Sequence, residues 1–491
     1  MANAFKPPAT QRVYDVCVLG GGLGGAAAGA LLSRRGYRVL VIDTGGQTQA
    51  SDGGWLLPPG PGLLPGTRLL PAADSMLAEL GLVSDAARAL EPLVPDLQLL
   101  SPRLRLDLAR EPGHLATELK RAWRGDAERL ARGLEQLAAA SEAGGHFLKA
   151  APPLPPGGFL DGFALRQALK VAAQASGVRK EIVATADPLA GLEGHPLATA
   201  LLALHRFLSR LDGPPAPLSV ARLCGVALRG LHRVAPSALP LEEALRRKVS
   251  ETRGEVLGTA AEPARIESIA VEGRRLGSLR VAGTTDSYLA RAFVLSAPLR
   301  WLTGLLGPGA AERAARPLAR LKPGRHLAVR HLVLRPAALP PGLGPAALVL
   351  GDGTRPDEAV LVEVATARRD GRKGHPEPTA GERLVSAWTL LPAGGDLAAS
   401  QARLAAALGE AFPFHDRHLV HAVSPAPVPH LMAVDQPALG VCGLPVKTPW
   451  KNLLLASREV LPGLGQEGEL YAGLQAAAHA VALLGSKEKP R

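Results

Sequence analysis

The chain has 491 residues, 47% of them hydrophobic, enough to bury one large core or two ordinary ones. Aromatic residues make up only 3%, so the packing must rest on Leu, Ala and Val. The net charge of +12 comes without any basic run interleaved with aromatics, which excludes a nucleic-acid module and leaves two readings, the bias of GC-rich bacterial coding or attraction to an anionic surface.

Taken in chain order, the first ten residues read as a loose tail. Residues 16–19 form a short apolar run that enters Gly20, Gly22 and Gly25, with Leu23 and Gly24 between them. An Ala-rich helical stretch follows, and then a second apolar run, 39–42, that stops at Asp43. This strand–turn–helix–strand order is the unit that cradles a dinucleotide. Gly20 permits the tight turn, Gly22 lets the backbone approach a pyrophosphate, and Gly25 lets helix and strand pack closely. The helix start presents free N–H groups and a positive dipole end. Asp43 is placed to accept from ribose hydroxyls, which disfavours a 2′-phosphate and does not separate NAD from FAD. The uncharged run 16–32 also invites a membrane or signal reading, but its glycines make a poor spanning helix and no signal-type segment precedes it.

A Gly/Pro-rich loop covers 52–66, and residues 71–235 read as mainly helical, with helix-period faces at 163–175 and 197–211 and Pro-rich breaks at 152–156 and 214–217. Residues 241–249 form an amphipathic helix. Strand-like runs follow at 254–256, 266–269 and 291–297, and then at 326–334, 346–350, 360–365 and 384–391. The last four suggest an antiparallel sheet flooring a substrate domain. Between two of them, Arg368, Arg369, Arg372, Lys373 and His375 read as a solvated basic hairpin. His415, His418, His421 and His430 have no Cys or paired carboxylates beside them and read as scattered surface histidines, so no metal site is expected. Cys17, Cys224 and Cys442 are far apart with no C-x-x-C. That argues against a disulfide framework and fits a reducing cytoplasm. No G-x-S-x-G, Walker A or H-E-x-x-H motif occurs.

Near the end, an apolar strand at 453–456 runs into Pro462, Gly463, Gly465 and Gly468 and an Ala-rich helix. Together with the N-terminal unit, this C-terminal return resembles the FAD-dependent phytoene desaturase and retinol saturase-like branch of the amine oxidase–protoporphyrinogen oxidase flavoproteins. The resemblance runs over most of the chain and is specific at its two ends. It implies an α/β fold: a Rossmann-type FAD-binding domain from residues 11–70, 240–310 and 447–485, and a discontinuous α+β substrate domain, antiparallel sheet plus helices, from 71–239 and 311–446. It implies FAD as cofactor, with Gly465 and Gly468 under the pyrimidine end of the flavin, Ile266 beside the adenine and Glu459 near the ribityl phosphate. Two positions depart from the family pattern. Gln47 stands where an Arg reaches the pyrophosphate, and Ser457-Arg458 precede Glu459 where Gly and an acid are usual.

Because a flavin itself accepts the electrons, no strong acid or base need appear. Glu467 and Glu469 are candidate proton acceptors at the flavin edge, against the plainer role of first-turn acids on a helix dipole. Two function classes stay open. One is an FAD-dependent oxidoreductase of desaturase, saturase or isomerase type, cytoplasmic with a possible peripheral membrane contact, acting on an apolar, isoprenoid-like small molecule. The other is a degenerate flavoprotein fold that serves as a binding or assembly partner without turnover.

Overall fold

The computed structural model describes residues 10–45, 50–102, 104–235, 238–259, 262–371 and 381–486. Gln47, Arg372, Lys373 and His375 lie outside them. In chain order the elements that build the site are β1 (Gln11–Leu19), α1 (Leu23–Arg34), β2 (Val39–Ile42), β3 (Leu97–Ser101), β4 (Leu104–Leu108), α2 (Ala127–Lys149), α3 (Phe159–Ser176), α4 (Pro196–Leu208) and α5 (Pro217–Ala227). They continue with α6 (Leu241–Glu251), β5 (Gly254–Leu257), β6 (Ile266–Glu272), β7 (Arg275–Val281), β8 (Ser287–Leu295), β9 (His326–Leu334) and β10 (Ala346–Val349). The last are β11 (Val360–Thr366), β12 (Arg383–Leu391), α7 (Leu397–Ala411), β13 (Leu419–Val423), β14 (Leu453–Leu455) and α8 (Gly465–Leu484).

The first sheet has the order β5-β2-β1-β8-β7-β6, with β14 alongside the second half of β8. Strands β5, β2, β1, β8 and β14 are mutually parallel. A parallel core needs cover on both faces, which is why β1 and β2 read as continuous apolar runs rather than alternating ones. α1 is buried along nearly its whole length. Its small residues let it press against α8. A Cβ on Gly24 would strike the Ala456 carbonyl oxygen, and one on Gly473 would strike the carbonyl oxygen of Gly24. The C-terminal return expected from the sequence is therefore a backbone-to-backbone contact.

The second sheet has the order β13-β9-β12-β11-β10-β3-β4, with Val428–Pro429 pairing β9. Strands β9 to β12 lie where the strand-like runs at 326–391 placed them. The two sides of this sheet bury different cores. Leu327, Val329, Leu361 and Trp388 face α2, α4 and α5, while Ala328, Val360, Val362 and Ala387 face α7. The hairpin β3–β4 corrects the helical expectation for 71–235. Its Leu-rich residues favour helix locally, but β3 pairs in parallel with β10 and takes its conformation from that neighbour.

The histidine expectation also needs one correction. His430 is buried, not on the surface, and lies against Arg210, whose Nη1 is 2.6 Å from its Nδ1. No group of His, Cys, Asp and Glu that could hold a metal occurs among the described residues. No helix among them is long and apolar enough to cross a membrane.

Candidate functional site

The glycine turn and the C-terminal turn meet at one place. Gly20 has φ +100°, a conformation that suits glycine, and its N–H donates to the Ile42 carbonyl at 2.9 Å. Gly22 caps α1 with no side-chain hydrogen bond to the helix start, and Leu23 opens the helix as a buried residue. The first N–H groups of α1 thus remain for an anion. The exceptions are Gly25, whose N–H donates to Ser296 Oγ at 3.2 Å, and Gly24, whose N–H points to the Glu469 carboxylate. A Cβ on Gly22 would lie 2.6 Å from Ser296 Oγ and 3.3 Å from Glu469 Oε1, so this glycine is already required by protein neighbours.

Asp43 ends β2 beside this turn. Its Oδ1 accepts from the Gly45 N–H at 3.0 Å. Its Oδ2 is buried and accepts no hydrogen bond, although Arg246 Nε of α6 lies 3.4 Å away. A buried carboxylate oxygen without a donor is costly, and a ribose hydroxyl is the kind of group that would satisfy it. The structure thus brings Gly20, Gly22, Gly24, Gly25 and Asp43 together with Glu469 and the start of α8. Ile266 follows two residues after a contact with Asp43. It begins β6 at the far edge of the sheet, buried and paired with Val281. The chain reaches it after crossing β2, where the Ala264 N–H donates to the Asp43 carbonyl at 2.7 Å.

At the second turn, Pro462–Leu464 make a short 3-10 segment and Gly465 has φ +54°. Gly468 packs against the Leu461 carbonyl. Glu459 is buried, its Oε2 accepting from the Leu299 N–H at 2.8 Å and its own N–H donating to Ser457 Oγ. Burial raises its pKa. It therefore holds the turn after β8 at Pro298, a role that its distance from the family position did not suggest. Glu467 also has a structural task. It forms a buried ion pair with Arg222 of α5, whose Nε and Nη2 sit 2.9 and 2.8 Å from its two oxygens. Glu467 is 2% exposed in this pair and does not line the cavity described below, which removes the basis for it as a proton acceptor.

Glu469 is different. Its carboxyl is pushed upward by burial, opposed by Arg458 and Arg210 and reinforced by Glu242. The residue is half-buried although protein surrounds it densely. A carboxylate at the rim of a narrow groove has both properties, and the contact with Gly22 places it at such a rim.

A cavity of about 790 Å³ runs from the Pro-rich segment at 58–65, past β11 and β12, to the first turn of α8. Pro58, Leu64, Arg210, Glu363, Ser386 and Gln466 are among its walls. Arg210 is held at about 10, chiefly by burial and by the nearby Arg458. Glu363 is a site residue that sequence reasoning missed. Its Oε1 accepts from the Gly62 N–H and its Oε2 from Trp388 Nε1, each at 2.9 Å. Burial raises its pKa to about 7, against these two bonds that lower it. The available signal was an acid inside an apolar strand, Val360-Leu361-Val362-Glu363-Val364.

Residues 15–183 match the family of FAD dependent oxidoreductases (DAO). No curated protein matches the sequence. Among solved structures, an oxidoreductase from Methanosarcina mazei superposes with a TM-score of 0.58 at 16% identity, covering 94% of this chain and 100% of its own. A protein from Pyrococcus furiosus gives 0.54 at 15% identity over 96% and 98%. A putrescine oxidase with redesigned cofactor binding gives 0.53 at 14% identity over 96% and 99%. These likenesses bear out the α/β fold, and the family match implies FAD as the cofactor. The residues at the groove fit that group. A glycine-capped helix start suits a diphosphate and an unsatisfied Asp43 oxygen suits a ribose.

Proposed function

We propose that the chain is an FAD-dependent oxidoreductase that oxidises or reduces an apolar small molecule in the cavity beside β11 and β12. The observation that carries this is the position of that cavity, which extends from the strand floor to Gln466 at the start of α8, where the flavin edge would lie. The Pro-Gly turn and Gly465 support the desaturase and saturase-like branch within this class. Gly20, Gly22, Leu23, Gly24 and Gly25 would hold the diphosphate and Asp43 the ribose. When bound, FAD supplies a two-electron acceptor or donor at the cavity wall.

The residues of this chain then have separate tasks. Pro58, Leu64 and their neighbours exclude water and hold an apolar body. Glu363, titrating near neutrality, accepts a proton from the substrate as the carboxylate and is returned by solvent through the cavity. Trp388 and Gly62 keep its carboxyl in one orientation. Bleaching of the flavin's visible bands by candidate substrates under anaerobic conditions tests the assignment. The rate should rise with pH through about 7, because only ionised Glu363 accepts a proton. Glu363→Gln should slow the reduction about 100-fold or more and abolish that limb. A reduction rate unchanged in the variant would sink the role of Glu363.

The peripheral membrane contact is supported by one stripe on α3. Phe159, Leu160 and Phe163 are 84%, 79% and 60% exposed, and Arg166 and Lys170 continue the same face. Apolar side chains followed by cations on a chain of net charge +12 suit an anionic bilayer. Vesicles of anionic lipid should co-sediment with the protein, and Phe159→Asp with Phe163→Asp should release it. Equal binding by both forms would place the contact elsewhere.

The second reading, a flavoprotein fold acting as a partner without turnover, has one observation in its favour: Arg246 already lies across Asp43 and Gly21. FAD uptake followed by its visible spectrum separates the two. A chain that takes up no FAD is a partner protein.

A further inference from the structure

We infer that Arg246 is the cation that binds the diphosphate of the dinucleotide, replacing the arginine that the family pattern has where this chain has Gln47. The inference rests on the FAD reading above. Arg246 belongs to α6. Its side chain is 12% exposed and crosses to the glycine turn, where Nη1 donates to the Gly21 carbonyl. This is its one hydrogen bond among the described residues. A guanidinium has five N–H donors in a planar fork, so most of its capacity is not taken up by this bond.

Its ion pair with Asp43 is not an optimal one. The separation is 3.4 Å, and Asp43 Oδ2 accepts no hydrogen bond from it. The guanidinium is therefore carried to this place by α6 and the Gly21 carbonyl, rather than drawn there by the carboxylate. Gly21 directly precedes the helix start at Gly22, so the Arg246 charge adds to the positive end of α1.

The surrounding charges show why such a cation is needed. Asp43 closes one side of the groove, and Glu469 faces Gly22 on the other with Glu242 near it. Arg458 and Arg210 lie near Glu469 and offset it. Without Arg246, the Asp43 side would offer a diphosphate one carboxylate and no positive side chain. With it, the anion meets a fork beside the glycine turn, an arrangement that favours a bidentate phosphate contact.

Calorimetric titration of the full chain, freed of flavin, with ADP and with adenosine tests this directly. The wild type should bind ADP more tightly than adenosine, with an affinity that falls as salt rises. Arg246→Met should weaken ADP roughly 10- to 100-fold, flatten the salt dependence and leave adenosine unchanged. Arg246→Lys should retain part of the ADP preference. Because Arg246→Met leaves Asp43 without its neighbour, the variant combined with Asp43→Asn controls for damage to the fold, and it too should discriminate poorly between ADP and adenosine. Equal weakening of both ligands, unchanged ADP affinity or tighter ADP binding would overturn the assignment. In the last case Arg246 is a plug over the turn. FAD uptake by the wild type alongside an unaltered ADP affinity in Arg246→Met overturns the assignment alone. Failure of the wild type to bind either FAD or ADP overturns the cofactor reading and this inference with it.

Discussion

Replacing Arg222 with Met should cost the fold roughly 3–5 kcal/mol, because it leaves Glu467 as an uncompensated buried charge. The pair is 2% exposed on both sides. Besides Glu467, the guanidinium donates to the Ser141 carbonyl of α2 at 2.7 Å and to the Leu69 carbonyl at 2.8 Å. One side chain thus ties α8, α2 and the segment before residue 71 to α5, and its loss removes all of these hydrogen bonds at once. Thermal melts should show a fall of several degrees or more in Tm. The double variant Arg222→Met with Glu467→Leu should recover most of it, since removing both charges also removes the cost of burying them. A single variant as stable as the wild type would show that the pair does not hold these elements together.

Gly22→Val should abolish FAD retention and lower its affinity by at least two powers of ten, about 2.7 kcal/mol. The added carbons would meet Ser296 Oγ and Glu469 Oε1 before they met any ligand. The turn must therefore shift, and the free N–H groups of α1 with it. The two sheets do not depend on this position, so circular dichroism should stay close to that of the wild type. Full flavin occupancy in the purified variant would remove the glycine turn from the cofactor site.

Much of this architecture is legible in the chain because the physical signals are local. The strand-like runs at 326–334 and 384–391 mark strands whose two faces bury separate cores, and the apolar runs ending at Gly20 and Asp43 mark a parallel unit. What escaped was set by partners distant in sequence. Leu97–Leu108 forms a hairpin because β10 is there to pair with it, although Leu carries no strand preference of its own. Glu363 owes its importance to Gly62, Trp388 and the cavity, three features that no window around residue 363 contains. Arg246 sits among other charges on α6 and reads as part of a solvated face, but the register of the helix turns it onto Gly21. Glu459 and Glu467, both assigned by position to the cofactor region, hold the framework through Leu299 and Arg222.

The contact of α1 with α8 also governs the order in which the protein can be made. A ribosome delivers the glycine turn first and Gly473 more than four hundred residues later, yet the two backbones touch. β14 and α8, which flank β8 and cover α1, arrive long after both. Until they do, the buried side of α1 has no final cover, and the nascent chain carries an apolar surface through most of its synthesis. Such a surface invites wrong associations, and long-range closure of this kind is slow. The nucleotide groove, although its glycine turn is made more than four hundred residues before α8, thus becomes competent only after α8 is added.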